Sequence, residues 1–309
     1  MIPLGPGVEF DAIRDMVRRW GDRAHNIGDD AAVLQVPADH QLVVSTDSSV
    51  ENRHFGRRWL TPREIGYRAT SAALSDLAAM GARPIGILVA LAVPTSWRGQ
   101  LGEIADGIGD AASAFGAPIV GGDTSGGSEL NVTITVLGVA TKPLGRRGAQ
   151  PGDGVFITGE LGGSISALRV FQRGGRPKSE HFERFARPVP RIREAQWLAA
   201  NGATAAIDIS DGALADIAHL AHAGGVRIHV ELDSLPVSEG VDARHAAQSG
   251  EEYELAVTAP ESLDREAFAR EFGIRLTRVG SVTEGDAGVE ATFQGAPVVI
   301  EPGHDHFQT

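Results

Sequence analysis

The feature that most constrains this chain is a repeated pattern in which an apolar stretch ends in a turn of small residues carrying an aspartate. It occurs in IGDDAAVL, VVSTD, IVGGDTSGG and AIDISDG, which contain Asp29, Asp30, Asp47, Asp123, Asp208 and Asp211. Carboxylates at strand ends beside glycine can point into a common crevice with little steric obstruction. Hard oxygen ligands of this kind suit Mg²⁺. The turns contain neither histidine nor cysteine, which argues against zinc.

A further aspartate, in AALSDLAAMG, is predicted to lie on a helix. One face of that helix is followed in three- and four-residue steps by Ile65, Ala69, Ala72, Asp76 and Ala79. The neighbours of Asp76 on this face are small and apolar, so an ionised carboxylate there needs a partner. Both a metal ion and a buried arginine would serve.

Each of the other aspartates also has an ordinary structural interpretation. Asp29, Asp30 and Asp123 fit plain turn chemistry in glycine-containing loops. Ser210 or Asp211 would fit as the cap of the helix that follows them. Taken together, the segments favour a metal–phosphate site far more than any one of them does alone.

The composition excludes several other kinds of site. The chain has 309 residues, 42% of them hydrophobic, and no cysteine, which rules out disulfides, thiolate zinc sites, iron–sulfur clusters and cysteine nucleophiles. The net charge of −12 leaves no surplus of basic residues, so no nucleic-acid partner is expected. No Walker A loop is present, because QRGGRPKS carries Pro177 where that loop requires glycine. No strand–GxGxxG–helix unit and no GxSxG elbow occur.

The start of the chain and its apolar runs predict a cytoplasmic protein with no membrane partner. The first residues, MIPLGPGVEF, lack the basic region and apolar stretch of a signal peptide. The longest apolar run, Ile85–Val93, is shorter than the ~20 residues needed to cross a bilayer.

Hydrophobic periodicity predicts an α+β (mixed α/β) chain. Strands are predicted at Gln41–Ser45, Ile85–Val93, Leu130–Ala140, Val155–Thr158, Arg227–Leu232, Tyr253–Thr258 and Arg275–Val282. Helices are predicted at Phe10–Trp20, Pro62–Met80, Trp97–Phe115, Gly162–Arg173, Arg191–Ala200 and Ala213–Ala223. The turn-rich segment RRGAQPGDG precedes a fresh strand, so we predict two domains, 1–148 and 149–309. Strands and helices do not alternate strictly, which favours sheets with helices on one face.

A series of short motifs runs along the chain in a fixed order. They are GDDAA, STD, HF, LSDLAAMGARP, GGD, RRGAQPGD, TGELG, RPVPR, IDISDG, EEYEL and GHDHF. Their order and spacing, above all LSDLAAMGARP with IDISDG, resemble the thiamine-monophosphate kinase family over essentially the whole chain. That family belongs to a superfamily with aminoimidazole ribonucleotide synthetase, selenophosphate synthetase and a hydrogenase maturation protein.

The resemblance implies a two-domain aminoimidazole ribonucleotide synthetase-like fold. Its N-terminal domain would bind ATP and Mg²⁺ and form a barrel-like sheet across a homodimer, and its C-terminal sheet would be covered by helices. The implied reaction is direct transfer of the γ-phosphoryl group of ATP to thiamine monophosphate, giving thiamine diphosphate and ADP. Several Mg²⁺ ions would offset the Coulomb cost of bringing two phosphates together. The expected partners are ATP, thiamine monophosphate and a second copy of the chain.

The resemblance also implies roles for individual residues. The metal ligands would be Asp30, Ser45, Thr46, Asp47, Asp76, Asp123, Asp208 and Asp211. The catalytic carboxylates among them would be Asp47, Asp76, Asp123 and Asp211. The nucleotide contacts would be Gly122, Asp123, Arg147 and Ser210. The acceptor contacts would be His54, Glu251 and His304.

Several positions depart from the family pattern. Ala73 stands where asparagine is usual before LSD, and Gly126 stands where arginine is usual. Ser249 and Glu252 replace glycine and aspartate of the usual GGEDYEL, and His304 replaces an aromatic residue before DHF. We interpret these departures as changes on the acceptor side more than at the metal ligands. Two alternatives therefore stay open: another ATP-using enzyme of the superfamily with a different acceptor, and a non-catalytic nucleotide-binding regulator.

The substitution His304→Trp is expected to tighten acceptor binding. In the family an aromatic ring just before DHF stacks on the heterocycle of the vitamin, and imidazole presents a smaller surface. Stacking contributes about 0.5–1.5 kcal/mol beyond area burial, so KM for thiamine monophosphate should fall about two- to tenfold. Steady-state kinetics measure this constant, with KM for ATP as the internal control. An unchanged KM for thiamine monophosphate would contradict the role given to His304.

Overall fold

The computed structural model describes residues 8–25, 27 and 31–299. Asp29, Asp30 and His304 lie outside the described residues. The chain divides into two compact units, Met1–Leu77 with Arg83–Thr141 and Ala78–Ala82 with Lys142–Thr309. The domain boundary placed after Gly148 stays a prediction.

The first unit is built on a four-stranded sheet in the order β1-β4-β2-β3. Its strands are β1 (Gln41–Val50), β2 (Arg83–Val93), β3 (Ile119–Gly126) and β4 (Asn131–Ala140). Three helices accompany them, α1 (Val8–Trp20), α2 (Pro62–Ala79) and α3 (Leu101–Ala114). Strands β2 and β3 are parallel and connected through α3, and the other two pairs are antiparallel. Strands β1 and β3 form the two edges of the sheet, and Ala24 makes a single parallel bridge to Ile119 at the start of β3.

Strand β4 shows why this sheet has one buried and one open face. Val132, Ile134 and Val136 are fully buried, whereas Thr133 and Thr135 alternate with them in partly exposed positions. Successive strand residues point to opposite faces, so the apolar set packs inward and the hydroxyl set faces outward. The strand predicted from the sequence at Leu130–Ala140 is confirmed.

The second unit is built on a seven-stranded sheet in the order β11-β10-β7-β9-β5-β8-β6. Its strands are β5 (Asp153–Thr158), β6 (Ala205–Asp208), β7 (Arg227–Glu231), β8 (Leu255–Pro260), β9 (Leu276–Thr283), β10 (Gly288–Phe293) and β11 (Ala296–Val298). Its helices are α4 (Gly163–Gln172), α5 (Ser179–Ala186), α6 (Ile192–Ala200), α7 (Ala213–Gly224), α8 (Ala243–Ala247) and α9 (Arg265–Phe272). Neighbouring strands are antiparallel except β7 and β10. Side chains of α7 such as Ile217 and Leu220 share one core with Val155 and Ile157 of β5.

Two strands differ from the prediction in ways that affect the site. Strand β1 continues to Val50, so Asp47 lies inside a strand and not in the turn after it. The polar second half of β1 is tolerated because its hydroxyls pair across the open face with those of β4, as between Ser48 and Thr133 at 2.7 Å. Asp123 likewise lies inside β3, a strand that the glycine-rich sequence did not predict.

Within the described ranges, no helix is both long and apolar enough to cross a bilayer.

Candidate functional site

Asp76 and Ser45 meet on the buried side of the first sheet. The Ser45 hydroxyl of β1 donates to Oδ2 of Asp76 in α2 at 2.5 Å. A carboxylate among apolar neighbours needs a partner, and this hydroxyl is one that the structure provides. The two side chains were both predicted as metal ligands, and their oxygen atoms are in direct contact.

Asp47 and Thr46 lie on opposite faces of β1. Asp47 follows Ser45 by two residues and therefore shares its face. The Thr46 hydroxyl lies on the open face, 3.0 Å from the Thr135 hydroxyl. Thr46 can therefore share a metal ion with Asp47 only through its backbone carbonyl. Asp47 itself is half-buried and makes no side-chain hydrogen bond or ion pair within the part of the chain that the structure describes.

Gly122 and Asp123 lie on β3, at the far edge of the same sheet. A Cβ on Gly122 would lie 1.9 Å from the Val89 carbonyl oxygen, so only glycine fits beside β2. Asp123 is exposed and lies opposite Ala90 in the parallel pairing. Because β1 and β3 are the two edge strands, Asp47 and Asp123 are about 14 Å apart along the sheet, three strand spacings.

In the second unit, the turn from Asp208 to Gly212 joins β6 to α7. The N–H groups of Ser210, Asp211 and Gly212 all donate to Oδ2 of Asp216, at 3.0, 3.1 and 3.1 Å. Asp216 lies in the first turn of α7 and is 1% exposed. The alternative in which Ser210 or Asp211 caps this helix is wrong, because the N-cap position is Gly212 and the accepting carboxylate comes from within the helix.

Asp216 is a site residue that the sequence analysis missed. Burial is the main cause that raises its pKa, to about 7, and the charge of Asp208 adds to the effect. The ligand atoms of Asp211, Asp216 and His219 lie within 4.8 Å of one another. Several carboxylates therefore crowd one turn, an arrangement that a nearby cation would stabilise. The sequence feature that could have identified Asp216 is an acidic residue in the first turn of a helix, where N–H groups lack partners within the helix.

Glu251 is attached to the same turn through its backbone. Its N–H donates to the Ser210 carbonyl oxygen at 2.7 Å. The structure therefore brings this predicted acceptor residue beside the predicted nucleotide contact Ser210. Its φ of 57° is unusual for a residue with a side chain.

The remaining predicted contacts, His54 and Arg147, belong to other segments of the sequence. His54 belongs to the first unit, where its Nδ1 accepts from the Val50 N–H at 3.1 Å. A neutral His54 ring therefore carries its proton on Nε2. Arg147 is exposed in the loop before β5 and makes no ion pair within the described ranges. Its guanidinium is therefore a solvated positive charge.

Three of the motifs, TGELG, RPVPR and EEYEL, meet at one buried carboxylate. Arg191 donates to both oxygens of Glu254, at 2.6 and 2.7 Å, and the Thr158 hydroxyl donates at 2.7 Å. Glu254 is 2% exposed. A Cβ on Gly159 would lie 2.3 Å from Oε1 of Glu254, which explains that glycine. These motif residues form a buried ionic frame around Glu254.

Three of the departures from the family pattern lie in the interior, and their effect on the acceptor stays a prediction. Ala73 and Ser249 are fully buried, and Glu252 is 5% exposed. Side chains in the interior act on a bound ligand through other residues. Gly126, by contrast, is exposed at the end of β3.

Comparison with known proteins identifies the family. Residues 28–140 match the model for AIR synthase related protein, N-terminal domain, and residues 150–291 match the model for its C-terminal domain. A thiamine-monophosphate kinase of Salmonella typhimurium is 35% identical across 95% of this chain and 98% of its own length. This chain belongs to the thiamine-monophosphate kinase family. The kinase of Bacillus subtilis is 31% identical, covering 97% of this chain and 99% of its own.

Solved structures of the family agree with the fold. Thiamine-monophosphate kinase from Stenotrophomonas maltophilia is 34% identical, with a TM-score of 0.83 over 94% of this chain and 98% of that one. AaThiL, complexed with AMPPCP and TMP, is 27% identical, with a TM-score of 0.79 over 96% of each chain. The predicted two-domain architecture is confirmed, and the dimeric barrel stays a prediction.

We expect Asp216→Ala to destabilise the second unit through the Asp208–Gly212 turn. The change leaves three turn N–H groups without their acceptor, at a cost of about 2–4 kcal/mol in the free energy of unfolding. Asp216→Asn keeps a carbonyl oxygen for those donors and is expected to lose less than half as much. Denaturant unfolding in a metal-free buffer measures both. Equal losses in the two variants would show that the hydrogen bonds are not the cause.

Proposed function

We propose that this chain catalyses the ATP-dependent phosphorylation of thiamine monophosphate to thiamine diphosphate. Transfer is direct and in line, and several Mg²⁺ ions assist it. The observation that carries the proposal is the match in sequence and fold to thiamine-monophosphate kinases over nearly the whole chain. The complex of AaThiL with AMPPCP and TMP supports the same pair of substrates.

Each of the two units contains oxygen ligands of the kind that suits Mg²⁺. In the first unit Asp76 and Ser45 hold their oxygens in contact, and Asp47 is free of internal partners within the described residues. In the second unit Asp208 and Asp211 share a turn with the buried Asp216. Unneutralised carboxylates at this density are costly unless cations accompany them.

The metal ligands we propose are Asp30, Ser45, the Thr46 carbonyl, Asp47, Asp76, Asp123, Asp208 and Asp211. When bound, Mg²⁺ would neutralise the charge of the reacting phosphates. The chain's own contribution is rigidity: Ser45 fixes Asp76, and Asp216 fixes the turn that carries Asp211. Preorganised charge of this kind is most of what phosphoryl transfer requires.

The nucleotide and acceptor contacts complete the proposal. Gly122, Asp123, Arg147 and Ser210 contact ATP, with the solvated Arg147 guanidinium supplying fixed positive charge. Glu251 and His54 contact thiamine monophosphate, and His304 is proposed for the same role. No general base is needed, because the attacking phosphate oxygen is already ionised.

A panel of acceptors tests the activity itself. ADP release with Mg²⁺ and ATP is measured with thiamine, thiamine monophosphate or aminoimidazole precursors, and without acceptor. We expect release above the acceptor-free control with thiamine monophosphate only. Release with another acceptor alone would favour a different enzyme of the superfamily. ATP binding without release in any mixture would favour a nucleotide-binding regulator.

Asp47→Asn and Asp123→Asn are each expected to lower turnover by several orders of magnitude. The substitution keeps size and shape and removes the charge that a metal ion requires. Asp39→Asn is the matched control, because Asp39 is an exposed residue paired with its neighbour His40. Near-normal turnover in both site variants, at unchanged melting temperature, would refute the metal assignment.

A homodimer is part of the proposal. Leu42 and Val44 are 49% and 54% exposed on the open face of β1, beside the hydroxyls of Thr46 and Ser48. Apart from the single bridge between Ala24 and Ile119, both edge strands are unpaired on their outer side within the residues that the structure describes, and open edges invite pairing with another chain. A second copy would cover the apolar face and the edges together.

Val44→Asp is expected to weaken this dimer. A charge on the covered face would be buried without a partner on association. Val189→Asp is the control, since Val189 is 46% exposed but lies in the second unit. Light scattering at micromolar concentration should give a dimer for the wild type and the control and a monomer for Val44→Asp. A wild-type monomer that is stable and active would contradict the proposal.

A further inference from the structure

Two neighbouring residues of the EEYEL motif hold strained backbone conformations. Glu251 and Tyr253 have φ angles of 57° and 55°, in the left-handed region that side chains disfavour. Such residues persist only when their surroundings hold them, and they concentrate at functional sites.

Backbone contacts hold one side of the segment. The N–H groups of Glu252 and Tyr253 both donate to the Ile209 carbonyl oxygen, at 3.1 and 2.9 Å. The Glu251 N–H donates to Ser210 at 2.7 Å. These bonds fix the segment to the strand and turn that precede α7.

The side chain of Glu252 holds the other side. Its Oε1 accepts from the N–H groups of Gly162 and Ser164, at 2.8 and 3.2 Å, at the start of α4. The Ser249 hydroxyl donates to the same oxygen. The Ser164 hydroxyl in turn donates to the Glu251 carbonyl oxygen at 2.8 Å. Glu252 thus connects the start of α4 to the peptide unit of Glu251.

The charge of Glu252 has a cationic neighbour in Arg184. Nε of Arg184 lies 3.7 Å from Oε2 of Glu252, and Nη2 of Arg184 donates to Glu254 at 3.1 Å. Burial raises the pKa of Glu252, and the Arg184 charge opposes that effect. A carboxylate this deeply buried is anchored by its donors and cannot swing out to solvent.

We propose that Glu252, together with Ser249, is a positioning residue for Glu251. By holding the start of α4 and the strained segment in one arrangement, it sets the place of the Glu251 carboxylate and hence the affinity for the acceptor. This inference rests on the proposed function, which makes Glu251 an acceptor contact. Ser249 and Glu252, which are both departures from the family pattern, are in direct contact and act as one unit.

The turn that carries the proposed nucleotide contact Ser210 is held by a separate set of hydrogen bonds. The turn containing Ser210 and Asp211 is held by the three N–H bonds to Asp216. Those bonds do not involve Glu252. Loss of Glu252 should therefore alter acceptor binding and leave ATP binding nearly unchanged.

The experiment measures KM for thiamine monophosphate and for ATP in the full-length wild type and three variants. Glu252→Ala should raise KM for thiamine monophosphate about tenfold or more, since small misplacements of a contact group are costly, with KM for ATP within about twofold. Glu252→Gln keeps the carbonyl oxygen for Gly162 and Ser164 and should stay within about threefold of the wild type. Ser249→Ala removes one donor and should raise KM for thiamine monophosphate about threefold.

Each outcome decides between a positioning and a purely structural role. A parallel rise of both KM values, or no rise in KM for thiamine monophosphate, overturns the inference. Equal effects of Glu252→Ala and Glu252→Gln overturn it as well. If Glu252→Ala does not fold, Ser249→Ala decides by the same criterion. A wild type that releases no ADP with thiamine monophosphate overturns the proposed function and this inference with it.

Discussion

A carboxylate that leaves water must be matched by N–H donors, a guanidinium or a cation, and the arrangement of this protein follows from that requirement. Asp216 takes three backbone N–H groups, Glu252 takes two and a hydroxyl, and Glu254 takes Arg191 and Thr158. Asp216 and Glu252 each fix a segment that carries a proposed ligand-binding residue. The segments of the second unit's site are therefore held in place by hydrogen bonds and ion pairs more than by apolar packing.

The proposed ligand-binding acids form a second class. Asp47 and Asp123 have no internal partner within the described ranges, and Asp211 lies beside Asp216 and His219. The buried acids accept hydrogen bonds from the available donors, so the proposed ligand-binding acids are left to bind cations. Glu252 and Ser249 fit the same division. A buried acid and its hydroxyl partner there hold the less buried acid Glu251 in a strained backbone conformation.

The sequence alone predicted the helices and strands that are marked by a local periodicity of apolar residues. The predictions of β4 and of the helix bearing Asp76 were correct because apolar residues recur at strand or helix spacing over ten or more residues. Strand β3 was missed because Gly121 and Gly122 give no strand signal, although the tight approach to Val89 requires glycine. The role of Glu252 depends on partners 88 and 90 residues away in the chain, so no local pattern could reveal it. Asp216 was missed because its acceptor role exists only once the turn folds back onto α7.

The fate of the γ-phosphoryl group tests the account most directly. The protein is incubated with ATP labelled at the γ-phosphate, thiamine monophosphate and Mg²⁺, and the products are separated. Direct metal-dependent transfer predicts label in thiamine diphosphate, in amounts equal to the ADP formed, and none when the metal is chelated. Label released as inorganic phosphate alone, or thiamine diphosphate formed at full rate without a divalent metal, would contradict it.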